Sequence, residues 1–159
     1  MIEFLSSLPP ALYVAIISMV PLIELRGAIP VGVALGMEPW LLYTVAVIAN
    51  CIPIPFILWL MPPIMRYLKK TRALRWFADF LERKTEKNKD KVLKYSTFGL
   101  FLFVAIPLPG TGAWSGALIA SLLDLKPKYA FISIVCGVIG AGLIMSLGSY
   151  AVEWLINLF

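Results

Sequence analysis

Two long apolar runs frame this chain: 39–65 and 129–152 contain no charged residue. As helices at 1.5 Å per residue they extend about 40 Å and about 36 Å, enough to cross a hydrocarbon layer about 30 Å thick with room to tilt. Trp40 and Tyr67 flank the first, and Tyr129 with Tyr150 and Trp154 mark the second, where aromatic rings suit membrane interfaces. Pro53, Pro55, Pro62 and Pro63 predict kinks or a broken lower half in the first.

The other apolar pieces, 9–20, 31–37, 97–106 and 113–123, are too short to cross. A helix of 10–12 residues covers only about 15–18 Å. The first two are separated by Pro21, Glu24, Arg26, Gly27 and Pro30, the last two by Pro107-Leu108-Pro109-Gly110-Thr111-Gly112. Each pair therefore reads as a re-entrant hairpin that enters the membrane and returns to the same side. Broken backbone at that depth survives only inside protein or beside a wet cavity. Pro30 is expected to open the first return helix and Thr111 to cap the second, which starts at Ala113.

The order short-short-long, basic segment, short-short-long is an internal repeat. Ala28, Gly32 and Gly36 share a small-xxx-small spacing with Gly112, Gly116 and Ala120, and Glu38-Pro39 is matched by Lys126-Pro127. Ser133, Gly137 and Ala141 add a small stripe to the second long helix. Such stripes let helix backbones approach closely, so packing is their expected role. The predicted fold is an all-α integral membrane protein, an inverted repeat of two re-entrant hairpins, each followed by a transmembrane helix. It forms a single membrane domain over 1–159, with repeat 1 in 1–65, a basic amphipathic cytoplasmic helix in 66–95 and repeat 2 in 96–159. The rival plan, six ordinary crossings, needs crossings of about ten residues, half the usual length.

Charge sets the orientation. Residues 66–94 hold eleven Lys/Arg and four Asp/Glu, whereas the whole chain of 159 residues carries only +5. The remainder is thus slightly acidic, and the basic segment is expected in the cytoplasm of a cell (inner or plasma) membrane protein. Leu74, Phe77 and Leu81 recur at helical spacing within it, which favours a helix on anionic headgroups over a nucleic-acid site. Both termini then lie outside, and Glu3, Glu38 and Glu153 with them. Met-Ile-Glu-Phe at the start has no basic stretch, so no cleavable leader is read.

Composition narrows the chemistry. Hydrophobic residues make up 60% and charged residues 14%, against roughly 25% charged in soluble domains. There is no histidine, and Cys51 and Cys136 lie far apart in apolar runs, so no triad, metal cluster or cofactor site is expected and an enzyme is disfavoured. Glu24 and Arg26 are the ionisable groups expected inside the membrane, where charge costs several kcal/mol unless it pairs, reaches water or does work. Separated by two positions they would face apart on a helix, so an extended tip that lets them share a side is expected. They form either a proton carrier beside an anion-binding arginine or a structural pair. Gly110, Thr111 and Gly112 form a second tip whose backbone N–H groups can hold an anion. Asn50 is expected to hydrogen-bond across helices, and Trp114 to pack.

The runs Glu24-Leu25-Arg26-Gly27-Ala28-Ile29-Pro30 and 107–116, Pro-Leu-Pro-Gly-Thr-Gly-Ala-Trp-Ser-Gly, resemble the putative small multidrug export protein family. That family is similar to the larger DedA/VTT (SNARE-associated) superfamily, which has two opposed re-entrant hairpins. The resemblance covers nearly the whole chain and implies transport. Superfamily members are linked to moving polyprenyl-phosphate carriers or phospholipids between leaflets, often with proton or ion dependence. Glu24 matches the acidic residue of the first hairpin. The arginines of the superfamily's second-hairpin motif are absent here, leaving Arg26 and backbone N–H groups to hold an anion.

The leading expectation is a small transporter of a lipid carrier such as polyprenyl phosphate, or a related amphipathic anion, with Glu24 coupling protons. Export of small amphipathic drugs or cations is the alternative, and a non-transporting scaffold working through its basic helix comes third. Membrane lipids are the expected surroundings, and so thin a monomer favours a homodimer.

Overall fold

The structure, a computed structural model, describes residues 9–68, 89–108, 110–123 and 125–158. They are helical throughout, with no strand among the described residues. In chain order the helices are α1 Pro10–Met19, α2 Glu24–Ala34, α3 Pro39–Cys51, α4 Pro53–Leu68, α5 Lys89–Ala105, α6 Ala113–Leu122 and α7 Pro127–Leu158. Two spans are long and apolar enough to cross a membrane: Pro39–Leu60, 22 residues across α3 and α4, and Pro127–Leu158, 32 residues of α7. At 1.5 Å per residue they reach about 33 Å and about 48 Å, whereas α1, α2 and α6 reach only about 15–16 Å.

Proline punctuates this order. Pro10, Pro39 and Pro127 open α1, α3 and α7 at first-turn positions, where a missing N–H costs nothing. Between α3 and α4, Pro53 cannot donate to the Ala49 carbonyl, and the Ile52 N–H takes that acceptor at 3.3 Å. Pro30, expected to open the first return helix, instead lies inside α2. The helix starts six residues earlier because the Glu24 N–H reaches Val20 O at 3.1 Å and the Gly27 N–H reaches Ile23 O at 3.1 Å. α5 begins at Lys89, inside the basic segment; residues 69–88, the greater part of the expected cytoplasmic helix, lie outside the described residues, as does Glu3.

α1 packs on α2 and α3, and α5 packs on α6 and α7. α2 also meets α7, and α6 meets α4. Small residues set these approaches. A Cβ at Gly32 would collide with the Leu42 side chain, one at Gly116 would stand 2.7 Å from Val104, and one at Gly137 only 2.6 Å from Val104. Ala28, Ala120, Ser133 and Ala141 are buried beside them. Gly142, outside the stripes read from the sequence, seats α7 on Tyr43 and Val47 of α3.

Gly36 departs from its stripe. Nothing stands within 4 Å of a Cβ placed there, and its φ is +69°. It ends α2: the Gly36 N–H donates to Val33 O at 2.9 Å and the Met37 N–H to Gly32 O at 3.1 Å, the paired bonds of a Schellman cap. Glycine takes the left-handed conformation this cap needs without a Cβ penalty. At the end of α6, Leu125 N–H reaches Ala120 O at 2.9 Å over the same span.

Candidate functional site

The break between α5 and α6 leaves helix-end carbonyls on one side and helix-start N–H groups on the other. Inside an apolar molecule both sets need partners. They find them in the first turn of α2. The Glu24 carboxylate accepts from the Ala113 N–H at 3.2 Å through Oε2 and from the Trp114 N–H at 3.0 Å through Oε1. Arg26 Nη2 donates to Val104 O at 3.0 Å, Ile106 O at 3.3 Å and Thr111 Oγ1 at 3.0 Å. Arg26 Nη1 closes the set on Glu24 Oε2 at 2.9 Å. Anion thus sits at a helix start and cation at a helix end, as the macrodipole favours.

Glu24 and Arg26 therefore share a side within a helix, not on an extended tip. Two residues before α2, Leu22 has φ 75°, and Glu24 itself has φ 53°. Left-handed backbone is strained for such residues, and it turns the Glu24 side chain out of the register a regular helix would impose. The long arginine supplies the remaining reach. Glu24 is 4% exposed, so its charge is held almost wholly by these donors. Charge-assisted bonds of this type are roughly twice as strong as neutral ones.

Thr111 does not cap α6. The N-cap is Gly112, with no side-chain cap bond. The Thr111 hydroxyl instead accepts from Arg26 and the Leu108 N–H, and faces the Ile106 and Leu108 carbonyls at 2.8 and 2.9 Å, within reach of its own proton. Gly112 has φ +155°, and a Cβ there would collide with Glu24 Oε2 and Arg26 Nη1. Its lack of a side chain is what lets the pair reach the break. The N–H groups that meet an anion here are those of Ala113 and Trp114, just past the expected Gly110-Thr111-Gly112 tip, and that anion is the protein's own Glu24.

The connection runs both ways, since the Trp114 indole Nε1–H donates to Met19 O at 3.3 Å, in the last turn of α1. A cavity of about 470 Å³ opens here, lined by Glu24, Arg26, Gly110, Thr111, Trp114 and apolar neighbours including Leu22, Leu108 and Met145. Its volume lies within the roughly 300–1,000 Å³ of small-molecule sites. Asn50 is not among its lining residues: it is 1% exposed near the end of α3, and neither amide atom has a hydrogen-bond partner among the described residues, contrary to the expected cross-helix bond. Cys51 and Cys136 are free thiols.

Sequence reasoning missed the backbone partners: the N–H groups of Ala113 and Trp114, and the carbonyls of Val104, Ile106 and Met19. One signal for them was available, since every helix end buried at a Pro/Gly break must find donors or acceptors elsewhere.

The two charged residues and the glycine-rich break fall within one family. The family described as putative small multi-drug export protein matches residues 24–144. The chain belongs to this family. The matched span opens on Glu24 and takes in Arg26, the 106–112 break and most of the apolar part of α7. With its two apolar spans, this small multidrug export family member is a membrane protein. No curated protein and no solved structure matches it.

Proposed function

We propose that the chain is a small export transporter, with Glu24 and Arg26 as its coupling centre and the adjoining cavity as its substrate site. In this reading α1–α2 and α5–α6 are re-entrant hairpins dipping from opposite faces, and the two halves form an inverted repeat, the plan of the DedA/VTT superfamily. The roughly 15–16 Å helices α1, α2 and α6, and the apolar part of α5 (Ser96–Ala105, about 15 Å), would end near the centre of a roughly 30 Å hydrocarbon layer, which supports that placement. So does the packing, in which α2 reaches α7 of the second half as α6 reaches α4 of the first.

One observation carries the mechanism: a single carboxylate holds the arginine of its own hairpin and two N–H groups of the other. A proton on Glu24 removes the charge that all three donors share. The hairpins are then free to separate at the break, and loss of the proton draws them back. Proton movement in one direction would thereby alternate the cavity's access, the general requirement of a secondary transporter.

The export of small amphipathic molecules fits this site better than carriage of a polyprenyl phosphate. A phosphate would need several open donors, and Arg26 Nη1, Arg26 Nη2 and the Ala113 and Trp114 N–H groups are already engaged, which leaves Arg26 Nε as the one unpartnered donor of this set among the described residues. The test is efflux of ethidium from proteoliposomes with and without a pH gradient. Parent protein should show gradient-dependent flux, and Glu24→Gln, checked for monodispersity, should lose that dependence. Unchanged gradient dependence in the variant removes Glu24 from the mechanism.

A further inference from the structure

A second, larger cavity lies outside the coupling centre. The later part of α2 and the C-terminal part of α7 enclose about 670 Å³ between them, with Pro30, Val33 and Ala34 on one wall and Ile144 to Asn157 on the other. Tyr150 Oη donates to Met37 O at 2.9 Å and fixes α7 beside the end of α2. The walls are apolar except for one stripe. Ser149, Glu153 and Asn157 follow one another at intervals of four on α7, so they share a face.

Glu153 is half-buried in this groove and makes no salt bridge or hydrogen bond among the described residues. No Lys or Arg lines the groove with it. A half-buried carboxylate set among apolar walls, with no counter-charge among the described residues, favours a partner of opposite charge. Met145 lines both this groove and the 470 Å³ cavity at Glu24 and Arg26. A methionine side chain is a flexible partition between two apolar spaces.

We infer that the α2–α7 groove is a docking site for amphipathic cations, with Glu153 as counter-charge, apolar walls for the organic body, and Met145 as the partition toward the coupling centre. This deepens the export reading by naming the substrate class and its point of access, and it rests on that reading for its role in transport. Binding itself requires only the groove.

Gly148 makes the test clean. It lies in the groove wall, and nothing stands within 4 Å of a Cβ built on it, so Gly148→Leu has open space at its Cβ and adds bulk to the groove wall. The full chain in nanodiscs of zwitterionic lipid would be titrated with tetraphenylphosphonium by equilibrium dialysis. Triphenylphosphine oxide serves as the neutral comparison. Parent protein should bind the cation at least tenfold more tightly than the neutral compound. Glu153→Gln should erase that preference, and Gly148→Leu should weaken cation binding at least tenfold. Equal binding by parent and both variants overturns the inference, as does no binding by the parent. If Glu24→Gln abolishes binding while Glu153→Gln retains it, the cation sits at the coupling centre: the groove inference fails and the export reading stands. If Gly148→Cys crosslinks chain to chain in the membrane, a second copy fills the groove, which also overturns the inference. Conversely, loss of pH-gradient dependence failing to appear in Glu24→Gln, with groove binding as expected, sinks the coupling mechanism alone.

Discussion

The backbone N–H of Trp114 donates to the Glu24 carboxylate at 3.0 Å, across 90 positions of the chain. The Trp114 indole in turn donates to Met19 O, just before the turn that leads to Glu24. Each helix break thus supplies groups that satisfy the other's helix ends. Neither break is completed alone, because helix-end N–H and C=O groups buried inside protein need partners. The Glu24–Arg26 pair joins the two breaks through these contacts.

Arg26 works through its fork. Nη1 holds Glu24 while Nη2 meets the Val104 and Ile106 carbonyls and Thr111. A lysine ammonium cannot reproduce that planar arrangement at several acceptors. Arg26→Lys should therefore destabilise the protein by about 2 kcal/mol, the scale of one or two hydrogen bonds to a charged group. Thermal unfolding in detergent checks this; a midpoint equal to that of the parent would show that charge alone suffices.

Gly112→Ala tests the approach of the pair. Its Cβ would occupy the space of the Glu24 carboxylate and the Arg26 guanidinium, and its φ of +155° is one that alanine rarely adopts. The carboxylate would have to leave the Ala113 and Trp114 N–H groups. A loss of about 2–4 kcal/mol is expected, combining strain with lost charge-assisted bonds. Gly110→Ala, at φ +81° but with open space around its Cβ, should cost less. Equal unfolding midpoints for the two variants would contradict the collision.

The all-helical build and its two apolar spans were legible in the sequence because run length sets how far a helix can reach, but α5 extends back to Lys89 beyond the short run at 97–106. Pro9 and Pro39, and the Pro107–Gly112 run, mark boundaries that the helices observe. The start of α2 was not legible. Pro30 fits a first helical turn, and only the left-handed backbone at Leu22 and Glu24 allows the helix to begin at Glu24 instead. The prominence of Glu24 and Arg26 came from their cost in lipid, a property of the residues themselves. Their partners are backbone groups, which carry no residue-type signature, so composition and spacing do not point to them. Gly36 shows a related ambiguity: a glycine four residues after another reads as a packing stripe or as a helix stop, and the chain uses it as the stop.

Asn50 presents the opposite case, a polar side chain without bonds. It is 1% exposed, and its Oδ1 and Nδ2 lack partners. An unsatisfied buried amide costs about 1–3 kcal/mol relative to an apolar group of the same shape. Asn50→Leu, which keeps the same number of side-chain heavy atoms, should raise the unfolding midpoint. Lower stability in both Asn50→Leu and Asn50→Ala would mean that the amide is bonded in the membrane.

The balance between Glu24 and Arg26 themselves is open to a double-mutant cycle. Glu24→Gln leaves Arg26 with its carbonyl acceptors, and Arg26→Met leaves Glu24 with the Ala113 and Trp114 N–H groups, so neither charge is stranded completely. Each single variant nevertheless keeps one charge in an apolar junction without its counter-charge, and that residual penalty is what the pair removes. The double variant Glu24→Gln/Arg26→Met has no such charge. Its destabilisation should be smaller than the sum of the singles by about 1–3 kcal/mol, within the range seen for residues in contact. Unfolding midpoints and enthalpies of the four proteins in one detergent give the coupling directly. Strict additivity would mean that the two side chains serve the break independently, each through its own backbone partners, and that the 2.9 Å contact between them contributes nothing to stability.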